Sequence, residues 1–260
     1  LRQRLPRDIF LIEDCAQAMG TRIEDKSVGT FSDAGFFSFN RGKNLPTYGG
    51  GCLVTDNDAL TADVEKFINQ LRKPNFLEET DALLKMFCLK LAFNRYFYGL
   101  LHSWIAKEGK EEHIVLDFSV TSYAPLQAGW NIALLKRFYQ SSERRFQNAQ
   151  ALIDGLKGCA DIIVPKMEPE EKIALNRFPM IVKDSLKKKI IMKRLKRAGI
   201  DSSEFYPEPL HHIFDLGYRK EELPNAVSLA QRLLTLPVHP LVEQRDIERM
   251  VSVIREAVSS

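Results

Sequence analysis

What this sequence lacks narrows its reading first. The start, LRQRLPRDIF, has no methionine and no apolar stretch of the kind at the centre of a secretory signal. Leu1 is therefore not expected to be the natural start, and N-terminal material is expected to be missing. The four cysteines, Cys15, Cys52, Cys88 and Cys159, form no CxxC pair. Reduced, packed thiols in a cytoplasmic protein are expected, with Cys15 and Cys52 in buried strand ends. No set of His, Cys and Asp has zinc spacing, so no metal is expected. A net charge of +3 is too small to indicate a nucleic-acid partner. The phosphate-loop pattern GxxxxGKS/T is absent: Asn44 follows Lys43, and no glycine stands at the required earlier spacing. There is no internal repeat and no low-complexity segment.

What remains is ordinary in composition. The 260 residues suffice for one large domain or two modest ones, and 45% hydrophobic with 27% charged residues suits a soluble globular protein. The basic residues cluster in KDSLKKKIIMKRLKR, residues 183 to 197. Helical spacing puts Leu186, Ile190, Ile191 and Leu195 on one face and the lysines on the other, which predicts a solvated basic face rather than a nucleic-acid patch. The segment LLKMFCLKLAFNRYFYGLLHSWIA, residues 83 to 106, carries Lys85, Lys90, Asn94, Arg95 and His102. Those polar groups recur too often for a membrane span of about 20 apolar residues. An amphipathic helix or helix pair is expected, packed on the protein or on a partner subunit, with peripheral membrane contact the less favoured alternative.

The order of elements predicts an α/β architecture in two parts. DIFLIED reads as a short buried strand, AQAMG as a turn or short helix, AGFFSF and GCLVT as two further strands. A helix with an Asp cap follows in DNDALTADVEKFINQLRK. These residues read as the tail of an α/β sheet domain with too few strands to be a whole one. Residues 80 to 107 read as helical, 108 to 122 as an exposed connection, and APLQAGWNIALLKRFYQSSERRFQNAQALIDGLKG as one long helix or two. Short strands then alternate with helices, the pattern of a small α+β domain. The division is placed at residues 1–150 and 151–260.

One stretch carries chemistry: SFNRGKNLPTYGGG, residues 38 to 51. A lysine there can hold a carbonyl compound as a Schiff base, and the glycines let backbone pass close to a bound group. Alone, Lys43 reads far more readily as a solvated loop lysine. Asp14, at a strand end where α/β folds bind ligands, reads alone as a cap for the residues that follow. The order of groups says more: a strand-end aspartate, Gln17 three residues on, a strand ending in Ser38, then a lysine and a glycine run. Pyridoxal phosphate needs a lysine for its aldehyde, an acid for its pyridine nitrogen and donors for its phosphate.

IEDCAQAMG followed by VGTFSDAGFFSFNRGKNLPTYGGGCLVT resembles the DegT/DnrJ/StrS family of sugar aminotransferases. LQAGWNIALLKRF, ERRFQNAQALIDGL, FYPEPLHH and LTLPVHPLVEQRDIERMVSVI extend the resemblance over nearly the whole chain. It implies the C-terminal part of a large domain of fold type I, the aspartate-aminotransferase fold, plus a small C-terminal α+β domain. It also implies pyridoxal phosphate as cofactor and a homodimer. Lys43 then looks like the Schiff-base lysine and proton carrier, Asp14 like the partner of the pyridinium nitrogen, Gln17 like a group beside the ring, and Ser38 like a phosphate ligand. His211 and His212 stand where the family approaches substrate, and His239 is read as structural. The implied reaction moves an amino group, usually from glutamate, to a keto group on a nucleotide-linked sugar.

The chain departs from the family pattern in the N-terminal half that is expected to be missing, in a longer and more apolar helical segment at 80 to 107, and in two motifs. TYGGG replaces Thr-Gly-Glu-Gly-Gly, losing the glutamate, and VTSY, residues 120 to 123, stands where the family often has Asn-x-Arg-Met. Those losses are what an alternative reading rests on, a non-catalytic homologue serving as a binding or assembly protein. Relatives that dehydrate sugars carry histidine in place of the lysine, and Lys43 argues against that chemistry.

Overall fold

The computed structural model describes residues 4–6, 8–92 and 120–259. The apolar segment beyond residue 92, and residues 108–119 of the expected connection, lie outside them. The described strands are β1 (Ile12–Asp14), β2 (Arg22–Ile23), β3 (Lys26–Ser27), β4 (Ala34–Ser38), β5 (Gly51–Val54), β6 (Ile162–Ile163), β7 (Glu171–Lys172), β8 (Arg177–Val182) and β9 (Leu233–Pro237). The described helices are α1 (Asp58–Gln70), α2 (Phe76–Ala92), α3 (Pro125–Leu135), α4 (Phe138–Leu156), α5 (Ser185–Arg197), α6 (Leu210–Ile213), α7 (Pro224–Arg232) and α8 (Gln244–Ser259). The chain forms two compact units: Leu1–Met19 with Ser27–Phe138, and Gly20–Lys26 with Tyr139–Ser260. The boundary expected near residue 150 falls inside α4.

The first unit holds a sheet of order β1-β4-β5. β1 runs parallel to β4, with Asp14 opposite Phe36, and β5 runs antiparallel to β4, with Ser38 opposite Gly51. The expectation of a buried strand in DIFLIED needs correcting. Only Ile12–Asp14 pair, and Ile9, Phe10 and Ile12 are 41%, 50% and 60% exposed, because β1 is an edge strand of this sheet and turns its apolar side chains outward. Cys52 is corrected too: Cys15 is buried, but Cys52 lies exposed on edge strand β5, and all four cysteines are free. AQAMG forms turns. Helix α1 is capped by Asn57, not by an aspartate: its side chain accepts a hydrogen bond from the Leu60 amide. The long helical run is two helices, α3 and α4, and Pro125 opens α3, where its missing N–H costs nothing.

The second unit is built on the antiparallel sheet β6-β8-β9. Every second residue of β8 is buried, so Phe178, Met180 and Val182 face the core with Leu234 and Leu236 of β9. Ala149, Leu152 and Leu156 of α4, Ile191 and Leu195 of α5, and Ile247, Met250 and Ile254 of α8 close over them. Gly155 lets α4 approach α8 closely, since a Cβ there would come within 2.6 Å of Val251. The predicted face of α5 is wrong in part. Leu186 and Ile190 are 67% and 44% exposed, while Lys188 is buried and pairs with Glu204 at 2.7 Å. Among the described residues no helix is long and apolar enough to cross a membrane.

Candidate active site

Because β1 and β4 are parallel, their carboxyl ends meet at one edge of the sheet, where α/β folds gather ligands. Asp14 ends β1 and Ser38 ends β4, and the loop carrying Lys43 leaves from that same edge and returns as β5. Side chains alternate along a strand, and Asp14 pairs with Phe36, two residues before Ser38, so Asp14 and Ser38 share a face. Gln17 lies exposed on the turn after β1.

Asp14 serves its local structure with one oxygen: Oδ1 accepts from the Ala16 amide at 3.0 Å. Its other oxygen takes no hydrogen bond from the described residues, and the side chain is exposed at the sheet edge. Ser38 Oγ accepts from the Asn40 amide at 3.3 Å, which leaves its own proton to donate.

The loop from 39 to 50 is not a solvated excursion. Phe39, Asn44, Leu45 and Thr47 are buried. The Phe39 amide donates to the Gly50 carbonyl at 2.9 Å, and the Phe39 carbonyl accepts from the Thr47 amide at 2.7 Å. Asn44 Nδ2 donates to the Met19 carbonyl at 2.7 Å, tying the loop to the turn after β1. Lys43 is half-buried, its amide donates to the Asn40 carbonyl at 3.2 Å, and no carboxylate of the described residues pairs with its ammonium.

Sequence reasoning passed over several residues that shape this edge. Glu13 accepts from the amides of Gly29, Phe31 and Ser32 and from the Ser32 hydroxyl, at 2.7–3.0 Å. Burial works against its charge, but these donors prevail and hold its carboxyl below the usual range. Glu13 thus folds VGTFS back onto β1; the acidic pair Glu13-Asp14 was its visible signal. Cys15 is kept as a thiol, pushed up to about 11 by burial and then by Glu13 and Asp14. Tyr123, just before α3, and Gln127, in its first turn, reach the lysine loop through Thr47, and Asn131 of α3 donates to the Tyr123 hydroxyl. Nothing in the residue types signalled that contact.

The histidines belong to the second unit. His211 and His212 lie on the one-turn helix α6 with ring centroids 4.4 Å apart and planes at 71°. His211 is buried and its Nε2 finds no partner among the described residues. His212 is half-buried, and its Nε2 lies 2.9 Å from the Lys220 carbonyl. No group of His, Cys, Asp and Glu among the described residues could hold a metal ion.

Known proteins share this chain's fold. The spore coat polysaccharide biosynthesis protein SpsC of Bacillus subtilis is 25% identical over 269 residues, covering 96% of this chain and 60% of that protein. The dTDP-3-amino-3,4,6-trideoxy-alpha-D-glucose transaminase of Streptomyces venezuelae is 25% identical over 255 residues, covering 95% of this chain and 56% of that one. The crystal structure of DesV from S. venezuelae superposes with a TM-score of 0.71 at 22% identity, over 97% of this chain and 58% of that one. The chain therefore has the fold of these aminotransferases, pyridoxal-phosphate fold type I, and spans about three fifths of the length of the relatives it matches. With residues 6–94 and 111–255 matching the description of the DegT/DnrJ/EryC1/StrS aminotransferase family, the chain belongs to that family.

Proposed function

We propose that this chain carries the lysine side of a pyridoxal-phosphate site in a cytoplasmic, homodimeric sugar aminotransferase. It would transfer an amino group, with glutamate as donor, to the keto carbon of a nucleotide-linked sugar for sugar or cell-surface polysaccharide biosynthesis. The observation that carries this reading is the meeting of Asp14, Ser38 and the Lys43 loop at one carboxyl edge of the sheet. Names among the relatives support the substrate class: a dTDP-linked amino sugar transaminase, a UDP-N-acetyl-3-dehydro-alpha-D-glucosamine aminotransferase and a lipopolysaccharide biosynthesis protein.

The donor set fits the cofactor. Among the described residues it offers a half-buried amine with no competing carboxylate, a carboxylate with one oxygen uncommitted, and a hydroxyl with its proton to give. When bound, pyridoxal phosphate supplies an electron sink for the carbon that loses or gains the amino group. Lys43 would hold the group's aldehyde through Nζ, and the same atom would carry a proton as general acid and base. Asp14 would accept a charge-assisted hydrogen bond from the protonated ring nitrogen and so keep that nitrogen charged. Ser38 donates its hydroxyl proton to the phosphate, and Gln17 offers an amide beside the ring. Of the adjacent pair His211 and His212, one is assigned to the sugar substrate and the other to packing.

Titration with pyridoxal phosphate, followed by visible absorbance, tests the reading. Wild-type protein should develop a band that Lys43→Ala lacks, with the melting temperature unchanged. Asp14→Asn should weaken binding roughly tenfold or more, the worth of one charge-assisted hydrogen bond. Wild-type affinity in Asp14→Asn would remove that residue from the site. No band in any variant would favour a binding or assembly protein that has kept the fold.

A further inference from the structure

The two motif departures from the family pattern touch each other. Gly49 stands in place of the pattern's glutamate, and Tyr123 ends the stretch that replaces Asn-x-Arg-Met. The Tyr123 ring lies on the backbone of Gly50, where an added Cβ would come within 2.2 Å of a ring carbon. It also faces Phe39, with centroids 5.8 Å apart. Its hydroxyl lies 2.6 Å from Thr47 Oγ1 and accepts from Asn131 Nδ2 at 2.9 Å. Thr47 Oγ1 also donates to the Gly49 carbonyl at 3.1 Å and the Tyr123 hydroxyl to the Gln127 carbonyl at 3.4 Å, so either oxygen can supply the proton of their contact. Gln127 completes the contact, donating from Nε2 to the Thr47 carbonyl at 2.7 Å.

These contacts run from Tyr123 and Gln127 into the glycine-rich arm of the loop, which backbone hydrogen bonds between Phe39 and Thr47, Gly49 and Gly50 also hold. Three consecutive glycines, with φ of +136° at Gly49 and +81° at Gly50, have the widest backbone freedom to lose. Tyr48 adds a left-handed residue at φ +59°. Thr47 is fully buried, and the link it makes to Tyr123 spans 76 residues of sequence. We propose that Tyr123 is a positioning residue for Lys43: its ring and hydroxyl, acting through Gly50 and Thr47, fix the returning arm of the loop and so hold the lysine at the carboxyl edge of β4. The inference rests on Lys43 being the reactive lysine, as proposed above.

The test compares full-length wild type, Tyr123→Phe, Thr47→Val and the double variant. Tyr123→Phe keeps the ring and removes only the hydroxyl. Amide hydrogen exchange across residues 39–50 reads the loop without any cofactor. The rate of Lys43 acetylation against pH, referred to exposed Lys193, reads the lysine itself. Losing the hydroxyl should speed exchange at Thr47 and Gly49 roughly tenfold, the worth of one hydrogen bond, and shift the Lys43 profile, with α8 exchange and melting temperature unchanged. Thr47→Val should do the same, and the double variant should add little to either single one. Unchanged exchange and labelling in Tyr123→Phe, or fully additive effects, would overturn the proposal. Borohydride trapping of pyridoxal phosphate is read in parallel. Absence of trapping in wild type overturns the proposed function, while exchange and acetylation still decide the clamp. Trapping at equal rate in wild type and Tyr123→Phe overturns the positioning role.

Discussion

Gly50 and the Tyr123 ring claim the same space, and the glycine yields it. At φ +81° a side chain would be strained even in open space, and here it would also strike the ring. Gly50→Ala should therefore destabilise the protein by about 1–3 kcal/mol in urea unfolding, combining backbone strain and overpacking. Adding Tyr123→Ala should recover the steric part and leave the backbone part; no recovery would mean that the ring is not the obstacle. The proposed roles of Asp14, Ser38 and Lys43 rest on two strand-end positions, a loop lysine and an order of residue types that suits one chemistry. Tyr123 was not legible in the sequence, since its stretch read only as a lost motif and its partner lies 76 residues away. Asp14 shows why two readings of one residue could both hold. One carboxylate oxygen caps the following turn, and the other takes no hydrogen bond from the described residues.

Among the elements, α5 shows where periodicity stops deciding. Its sequence carries apolar residues on two sides, Leu186 with Ile190 and Ile191 with Leu195, and spacing alone grouped all four. The fold buries Ile191 and Leu195 and turns inward with them Lys188, whose ammonium is met by Glu204 from outside the helix. A tertiary partner thus settled what the helix pattern left open. Lys188 is 3% exposed and Glu204 40% exposed, so breaking the pair from either side is not symmetrical. Glu204→Gln strands a buried ammonium and should cost about 3 kcal/mol. Lys188→Met leaves a carboxylate that water can reach and should be nearly neutral in the same urea titration. Equal losses would show that the pair is effectively solvated. The strands were easier to read: AGFFS and GCLV pair where their sequence placed them, while DIFLIED shortened to three residues because an edge position offers little to bury its apolar side chains.

On the scale of the whole molecule, the large hydrophobic core belongs to the second unit, and the candidate cofactor edge belongs to the first. The α/β class and the small α+β region were legible from alternation and order. The unit containing residues 20–26 was not, because the pairing of β2 with β7 joins segments about 150 residues apart. Acid sensitivity should come from the second unit. Burial, and then the cations of Arg145 and Arg177, hold His239 below its ordinary value, with Asp201 and Asp246 opposing; burial also lowers Arg145, to about 10. His239 thus stays neutral in the fold, while the unfolded chain takes up its proton near 6.5. Its contribution is intact above that pH and is lost as pH falls below it. Unfolding midpoints at pH 7.5 and 5.5 should diverge less in His239→Gln than in wild type; equal divergence would place the sensitivity elsewhere. The central claim is that Lys43 holds the cofactor's aldehyde. Its most direct test is borohydride reduction of the protein mixed with pyridoxal phosphate, followed by mass mapping of the labelled peptide. The account predicts one dominant label, on Lys43. A label spread over exposed lysines, or none on Lys43, would contradict it.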